Sequence, residues 1–155
     1  MMQIDFPEAK RRLFDAIRPA KIMVLATSEN DKVTARSMSC IVMNEKIYFQ
    51  TDKTFLKYQQ IKSNKNVALC FSNVQIEGHA HEMGHPMDSQ NNGFAELFEK
   101  HYKDSFDAYT HLENEVLIEV DITNAVIWGY EGDRQYREFI DFKDKKAEKQ
   151  YYIKE

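Results

Sequence analysis

Three basic side chains in the first half of the chain are spaced so that they can converge on an anion. Arg36 lies in a strand-like segment, and Lys53 and Lys57 bracket the predicted start of a helix. The first turn of a helix presents unpaired N–H groups and a partial positive charge, and Thr54 is placed to cap it. Phosphate is a typical ligand of such a helix start, and Arg36 would add a bidentate donor. These residues predict a phosphate site.

Solvated surface charge is the alternative explanation for the same residues. Arg36 would then be an exposed strand residue, and the two lysines would be ordinary charge on a helix face. Charged side chains are mostly exposed in globular proteins, so the local pattern alone favours this explanation. The sequence around the basic residues is what favours a phosphate site.

The elements that would position these residues follow from alternation and turn signals. A first helix starts at Asp5 as its N-cap and ends near Pro19. Further helices are predicted over residues 54–63 and 91–111, the second as an amphipathic cover on one open end of the sheet. Six strands are predicted over residues 21–28, 33–43, 46–52, 67–72, 74–81 and from 116 toward 128. The short connections favour an antiparallel barrel over a parallel sheet.

Length and composition limit the classes of protein to consider. The 155 residues, 43% of them hydrophobic, suit one domain over 1–155, with residues 143–155 as a charged, solvated or frayed tail. A net charge of -4 without charge blocks argues against nucleic acid as a partner. The early apolar run 22–26 is too short to cross a membrane, so we expect a cytoplasmic protein. Cys40 and Cys70 are expected to be reduced, buried thiols.

Four segments around the basic residues have the order and spacing of a known family. They are 34–42 (TARSMSCIV), 47–57 (IYFQTDKTFLK), 61–69 (IKSNKNVAL) and 76–78 (IEG). Together they resemble the pyridoxamine 5'-phosphate oxidase-like family, and most closely its short members described as general stress proteins or flavin-binding split barrels. The resemblance implies a mainly β fold with flanking helices, a six-stranded antiparallel split β-barrel that binds flavin mononucleotide (FMN).

The resemblance also implies a homodimer with two FMN sites at its interface, each completed by the second subunit. By position, Arg36 and Lys57 would hold the phosphate, with Lys53 and Thr54 nearby. Further flavin contacts are implied for Ser37, Met38, Ser39, Gln50 and Thr51, and, from the second subunit, for Asn73.

Two departures from the family pattern limit what is carried over. The helix after the third strand ends in Asn64 and Lys65 instead of Asn-Pro, which removes some rigidity. The true oxidases carry a C-terminal Trp and Arg pair that contacts substrate phosphate and flavin. Trp128 matches the first of these, but residues 134–142 do not supply the rest. Vitamin B6 oxidase activity is therefore not expected.

Three histidines form a second group that could do chemistry. His79 and His81 lie two apart on a predicted strand, so both rings would point to one face, and His85 follows closely. Glu82 or Asp88 could complete a metal site, but no cysteine is near, and half-exposed histidines at a strand end are the alternative. We predict no metal site. Proton donation from one of these imidazoles to a substrate beside a flavin stays open.

The residues and the resemblance together predict an FMN-dependent oxidoreductase. It would transfer electrons or hydride between a reduced nicotinamide, or another donor, and a small acceptor. Because the cofactor supplies the redox chemistry, no catalytic acid or base is assigned. One alternative is a flavin, haem or deazaflavin binding or storage protein of the same fold, although a phosphate site favours a compact ligand over haem. Another is an interaction protein with an empty cleft.

Overall fold

Nine strands and three helices organise the computed structural model, which describes residues 1–153. Short helical turns occur at Ser89–Asn91, Lys103–Ser105 and Phe106–Thr110. The helices are α1 (Phe6–Ile17), α2 (Leu56–Ser63) and α3 (Asn92–His101). The strands are β1 (Met2–Ile4), β2 (Ala20–Glu29), β3 (Lys32–Met43), β4 (Lys46–Asp52), β5 (Asn66–Phe71), β6 (Val74–Glu82), β7 (Glu115–Glu131), β8 (Arg134–Asp141) and β9 (Lys146–Tyr151).

Six of these strands close into an antiparallel barrel, which confirms the predicted fold class. Along the sheet the order is β7-β4-β3-β2-β5-β6, and a further pairing of β6 with β7 closes it. The six are β2 to β7, and they correspond to the six predicted strands.

Two tight hairpins connect the strands that carry the candidate residues. Asn30 and Asp31 have φ of 49° and 64° between β2 and β3, and Asn44 and Glu45 have φ of 54° and 57° between β3 and β4. Two successive positive φ values are typical of the type I′ turn, whose twist matches that of antiparallel strands. These turns fix the register that places Arg36 opposite Leu25.

Two helices pack on the barrel near the predicted positions in the chain, although α3 covers an outer face of the barrel and not an open end of the sheet. The Asp5 side chain accepts a hydrogen bond from the Glu8 N–H at 3.0 Å, which confirms the predicted cap of α1. The second cover is α3, whose Phe94 and Phe98 pack with Phe106. This aromatic cluster contacts the outer face of the barrel through Ile41, Tyr48 and Leu117. The larger core fills the barrel and the space under α1.

The C-terminal segment departs from the prediction of a solvated tail. Residues 146–151 form β9, which pairs with β8 on one side and β1 on the other. Ala147 is 3% exposed in this small sheet, so the segment is folded and partly buried. Only Ala147 and Tyr151 of its six residues are apolar, so the composition of the segment does not reveal the strand. Residues 154 and 155 of the predicted tail lie outside the described residues.

The cysteine prediction is correct for one of the two thiols. Cys40 is buried and free, and burial raises its pKa to about 12. Cys70 is also free but exposed, because it lies on the outward side of β5 while Val67 and Leu69 point inward. No helix of residues 1–153 combines the length and apolarity needed to cross a membrane.

Candidate functional site

A cavity of about 420 Å³ lies between β3, the end of β4, the start of α2 and the segment that follows α3. Its volume falls within the range of about 300–1,000 Å³ that is typical of small-molecule sites. Six predicted site residues line it, namely Ser37, Met38, Ser39, Gln50, Thr51 and Lys57. The other lining residues are Asp52, Phe55, Phe98, Ser105, Tyr109, Leu112 and Glu115. The structure therefore brings together most of the residues that the resemblance assigns to one ligand.

Arg36 is oriented by a buried hydrogen-bond network at the edge of this region. Its Nη1 donates to Thr27 Oγ1 at 2.8 Å and to the Leu25 carbonyl at 3.3 Å, and its Nη2 donates to Thr34 Oγ1. Both hydroxyls in turn donate to Gln60 Oε1, at 2.6 and 2.7 Å. Gln60 is 1% exposed, so an α2 side chain holds the two threonines that position Arg36.

Lys57 shares a poorly solvated environment with Arg36. Its Nζ donates to Thr51 Oγ1 at 3.3 Å, and Thr51 is 4% exposed. Burial, with the nearby positive charge of Arg36, lowers the pKa of Lys57, and burial also lowers the pKa of Arg36. Neither side chain takes part in an ion pair within residues 1–153. Two cations held this way suit an anionic ligand.

Four predicted site residues do not line the cavity, namely Arg36, Lys53, Thr54 and Asn73. Lys53 approaches Glu82 at 4.0 Å. The prediction that Thr54 caps the helix is wrong, because α2 begins at Leu56 and the Thr54 N–H and hydroxyl both donate to Asp52 Oδ1, at 2.7 and 2.6 Å. Asn73 is in the exposed turn between β5 and β6, where its amide donates to the carbonyl of Trp128.

The segment after α3 closes one side of the cavity. Thr110 is fully buried, and its Oγ1 donates to Gln50 Oε1 at 2.9 Å. Phe98, Tyr109 and Leu112 add apolar surface from the same cover. The wall thus combines apolar and polar side chains, a lining that suits an aromatic ring carrying polar edges.

Glu115 is a functional candidate that sequence reasoning missed. This first residue of β7 lines the cavity and is 6% exposed, and its Oε2 has no hydrogen-bond partner within residues 1–153. Burial, together with the negative charge of Asp52, raises its pKa to about 7, although His85 and Lys57 oppose the shift. Its neighbours Glu113 and Asn114 are exposed, and the local sequence therefore suggests a solvated loop.

Gln60 also escaped prediction, for a related reason. The residues of α2 are mostly polar on both sides, so no periodic pattern marks one glutamine as buried. The only sequence signal was the presence of Thr27, Thr34 and Arg36 on adjacent strands, where polar side chains of a barrel interior need partners.

Two of the three candidate histidines make interactions of their own. His85 accepts from the Met87 N–H at Nδ1 and lies 2.8 Å from the Leu112 carbonyl at Nε2, an arrangement that the neutral Nε2–H tautomer satisfies. His81 Nε2 lies 3.0 Å from Asp121 Oδ2. No cluster of three or more His, Cys, Asp and Glu side chains within residues 1–153 is arranged to hold a metal ion.

A second groove, of about 430 Å³, runs along the outside of the barrel between Thr27 and Asn124. Glu77 and His79 line it, and no lysine or arginine of residues 1–153 does so. An anionic ligand therefore fits the cavity beside Lys57 better than this groove.

Comparison with known proteins gives the family. The profile described as "Pyridoxamine 5'-phosphate oxidase like" matches residues 8–152. The chain therefore belongs to the pyridoxamine 5'-phosphate oxidase-like family, as the sequence motifs indicated. No curated protein matched the chain.

Solved structures share the fold at low sequence identity. General Stress Protein 26 from Bacillus anthracis str. Sterne is 21% identical, with a TM-score of 0.60 over 76% of this chain and 92% of that one. PhzG from Burkholderia lata 383, in complex with tetrahydrophenazine-1-carboxylic acid, is 13% identical, with a TM-score of 0.63 over 96% and 92%. HutZ, the haem storage protein from Vibrio cholerae, is 10% identical, with a TM-score of 0.60 over 74% and 89%. These likenesses support the barrel fold.

Proposed function

We propose that this protein is an FMN-binding oxidoreductase that passes electrons or hydride between a reduced nicotinamide, or another donor, and a small acceptor. The observation that carries the proposal is the placement of Arg36 and Lys57. Both are partly removed from water, both lack an ion pair within residues 1–153, and Lys57 lines the cavity. A phosphate group between them would supply the missing negative charge.

The donor set fits a phosphate monoester with a polar, ring-bearing remainder. Arg36 keeps further guanidinium N–H groups beyond those used by Thr27, Thr34 and Leu25. Ser37, Ser39 and Gln50 add polar groups along the wall, while Phe98 and Tyr109 supply apolar surface. FMN contains both parts, a phosphate and a flat ring with polar edges, and when bound it would supply the redox chemistry.

The residues of the chain would bind and orient the cofactor and shield it from water. Gln60 fixes the direction of Arg36 through two threonines, and this preorganisation lowers the ordering cost of phosphate binding. The residues around Thr110 cover the cavity and hold Gln50 in place. No proton donor for an acceptor is assigned among His79, His81 and His85.

The proposal includes a homodimer, in which a second copy completes the site. Asn73 lies away from the cavity of its own chain, as a residue that serves the neighbouring site must. Ile22, Val24 and Val33 leave apolar side chains 60%, 44% and 68% exposed on β2 and β3. A surface of this kind is expected where a second subunit packs. We retain the cytoplasmic location expected from the sequence.

The visible spectrum of the purified protein tests the proposal directly. We expect a yellow protein, or one that becomes yellow with added FMN, which bleaches with a reduced nicotinamide and recovers with a quinone or nitroaromatic acceptor. Yellow protein that no donor reduces would support flavin storage. A colourless protein that ignores FMN would contradict both functions.

A matched pair of charge reversals tests the phosphate site. Lys57→Glu is expected to weaken FMN affinity by at least about tenfold, since it replaces an attraction with a repulsion in a partly buried site. Lys53→Glu is the control, because Lys53 faces Glu82 outside the cavity wall, and it should change affinity much less. Equal effects of the two variants would contradict the assignment of Lys57.

Haem storage is the alternative raised by the likeness to HutZ. No histidine of residues 1–153 lines the cavity beside Lys57, so an imidazole ligand to haem iron is not at hand there. Titration with haemin distinguishes the two ligands. A sharp Soret band that survives Lys57→Glu, with no FMN binding, would favour haem.

A further inference from the structure

Glu115 is a buried acid that the proposed function leaves without a task. Its side chain is 6% exposed, lines the cavity, and has an Oε2 with no partner within residues 1–153. Buried carboxyl oxygens are normally paired, and one that faces a cavity points to an interaction completed by a ligand. A protonated carboxyl group in this position can donate a hydrogen bond, whereas the ionised form repels an anion.

We propose that Glu115 makes anion binding proton-linked: the cavity accepts a phosphate dianion when the Glu115 carboxyl group is protonated, and it takes up a proton on binding when that group is ionised. This inference rests on the proposed function, because it concerns the same cavity and the same phosphate site. It adds a specificity device, an acidic residue whose protonation state sets the affinity for an anionic ligand.

The charges around Glu115 support this linkage. Asp52 lies directly opposite Glu115 in the pairing of β4 with β7, and like charges at such a pair are unfavourable. Asp52 stays ionised, because Thr54 donates two hydrogen bonds to it and lowers its pKa. Lys57 from α2 and His85 from the loop after β6 are the positive or titratable groups that face Glu115.

Phosphate binding favours the protonated form of Glu115. Lys57 is the cation that partly offsets the negative charge of an ionised Glu115. When a phosphate dianion binds Lys57 and Arg36, the positive charge of Lys57 is shared between the phosphate and Glu115. The dianion also adds negative charge to the same cavity. Protonation of Glu115 then removes one negative charge. The balance is one proton taken from solvent and added to the Glu115 carboxylate for each phosphate group bound.

Calorimetric titration with FMN between pH 6.5 and 8.5 tests the proposal, in buffers of different ionisation enthalpy. At pH 8.5 the wild-type protein should take up close to one proton per FMN, and its affinity should fall as pH rises above 7, by at most about tenfold per pH unit. Glu115→Gln is permanently neutral, so its uptake should be near zero and its affinity nearly flat. Riboflavin, which lacks the phosphate, should show little proton uptake with the wild-type protein.

Asp52→Asn is the matched control, because it keeps the Oδ1 acceptor for Thr54 but removes the charge opposite Glu115. This variant should still take up a proton on binding FMN at pH 8.5. Its FMN affinity should be higher than that of the wild-type protein, and the affinity should begin to fall at a lower pH. Tight FMN binding by the wild-type protein without proton uptake would overturn the role of Glu115 and leave the proposed function intact. Absence of binding of both FMN and riboflavin at every pH would overturn the proposed function, and this inference with it.

Discussion

The guanidinium group of Arg36 donates a hydrogen bond to the hydroxyl group of Thr27, with Nη1 2.8 Å from Oγ1. Thr27 is 1% exposed, and its own hydroxyl hydrogen goes to Gln60. The orientation of the basic residue is therefore set from inside the protein, by a polar network that reaches from β2 and β3 to α2.

Gln60→Leu should damage both stability and ligand binding, since it leaves the hydroxyls of Thr27 and Thr34 without their acceptor. We expect a loss of about 1–3 kcal/mol in the free energy of unfolding, which is the usual cost of unpaired buried polar groups. FMN affinity should fall as well, because Arg36 loses its fixed direction. Urea denaturation and fluorescence titration measure the two effects. Gln59→Leu on the exposed side of α2 is the control, and an equal loss there would contradict the role of Gln60.

Glu115→Gln should stabilise the protein in a pH-dependent way. The folded-state pKa of Glu115 is raised to about 7 from an ordinary 4.5, so the unfolded chain releases this proton first as pH rises. The wild-type protein therefore loses stability between about pH 4.5 and 7, by up to about 3 kcal/mol in total. The variant should match the wild type at pH 4 and exceed it at pH 8 in thermal denaturation. A constant difference between the two proteins across this range would count against a buried, titrating Glu115.

Asp52→Asn should show the opposite sign. The hydrogen bonds from Thr54 lower the pKa of Asp52, so its ionised form stabilises the fold at neutral pH and this contribution is lost on acidification through the folded-state pKa. The variant should therefore differ most from the wild type near neutral pH and converge with it in strong acid, as followed by the melting temperature. Melting temperatures of the two proteins that diverge as the pH falls would show that another group dominates the pH dependence of stability.

Arg12→Ala should destabilise the packing of α1 on β8. Arg12 Nη2 lies 3.0 Å from Glu138 Oε2, and the Glu138 side chain is only 8% exposed. Removal of the cation leaves a largely buried carboxylate unpaired, and we expect a loss of about 1–3 kcal/mol in unfolding free energy. Arg11→Ala breaks only exposed pairs with Glu8 and Asp15 and should cost less than about 1 kcal/mol. Urea denaturation of the two variants measures this difference, and equal losses would contradict the role of the Arg12–Glu138 pair.

Ala147→Asp tests whether the C-terminal segment is an integral part of the fold. Ala147 is 3% exposed and pairs with Ile140 and Ile4, so a charged side chain at this position would not be hydrated. We expect a loss above about 2 kcal/mol. Lys146→Asp at the exposed neighbouring position should change stability by about 0.5 kcal/mol or less. Similar melting temperatures of Ala147→Asp and the wild type would restore the idea of a solvated tail.

The barrel was predictable because its strands alternate and its turns have strong signals. Asn30 with Asp31 and Asn44 with Glu45 set hairpins that the local sequence specifies. The wall of the cavity was predictable from the family resemblance, which placed Ser37 to Ser39 and Lys57 together.

The errors arise where tertiary contacts override local pattern. The Thr54 hydroxyl donates to Asp52 and does not cap α2. The sequence alone does not show which of these two local hydrogen bonds a threonine side chain will form. Glu115 is buried at the start of β7, although Glu113 and Asn114 before it are exposed polar residues. The charged C-terminal strand pairs with residues more than a hundred positions away, in β1, and such pairing leaves no local trace.

The long strand β7 has a consequence for how the molecule unfolds. Its first residues pair with β4, its middle with β6 and its last eight with β8, over 17 continuous residues. The same strand therefore supports the barrel, through β4 and β6, and the part of the sheet formed by β8, β9 and β1. We therefore expect Glu115, at one end of β7, and Trp128, near the other end, to lose order in one cooperative unfolding step.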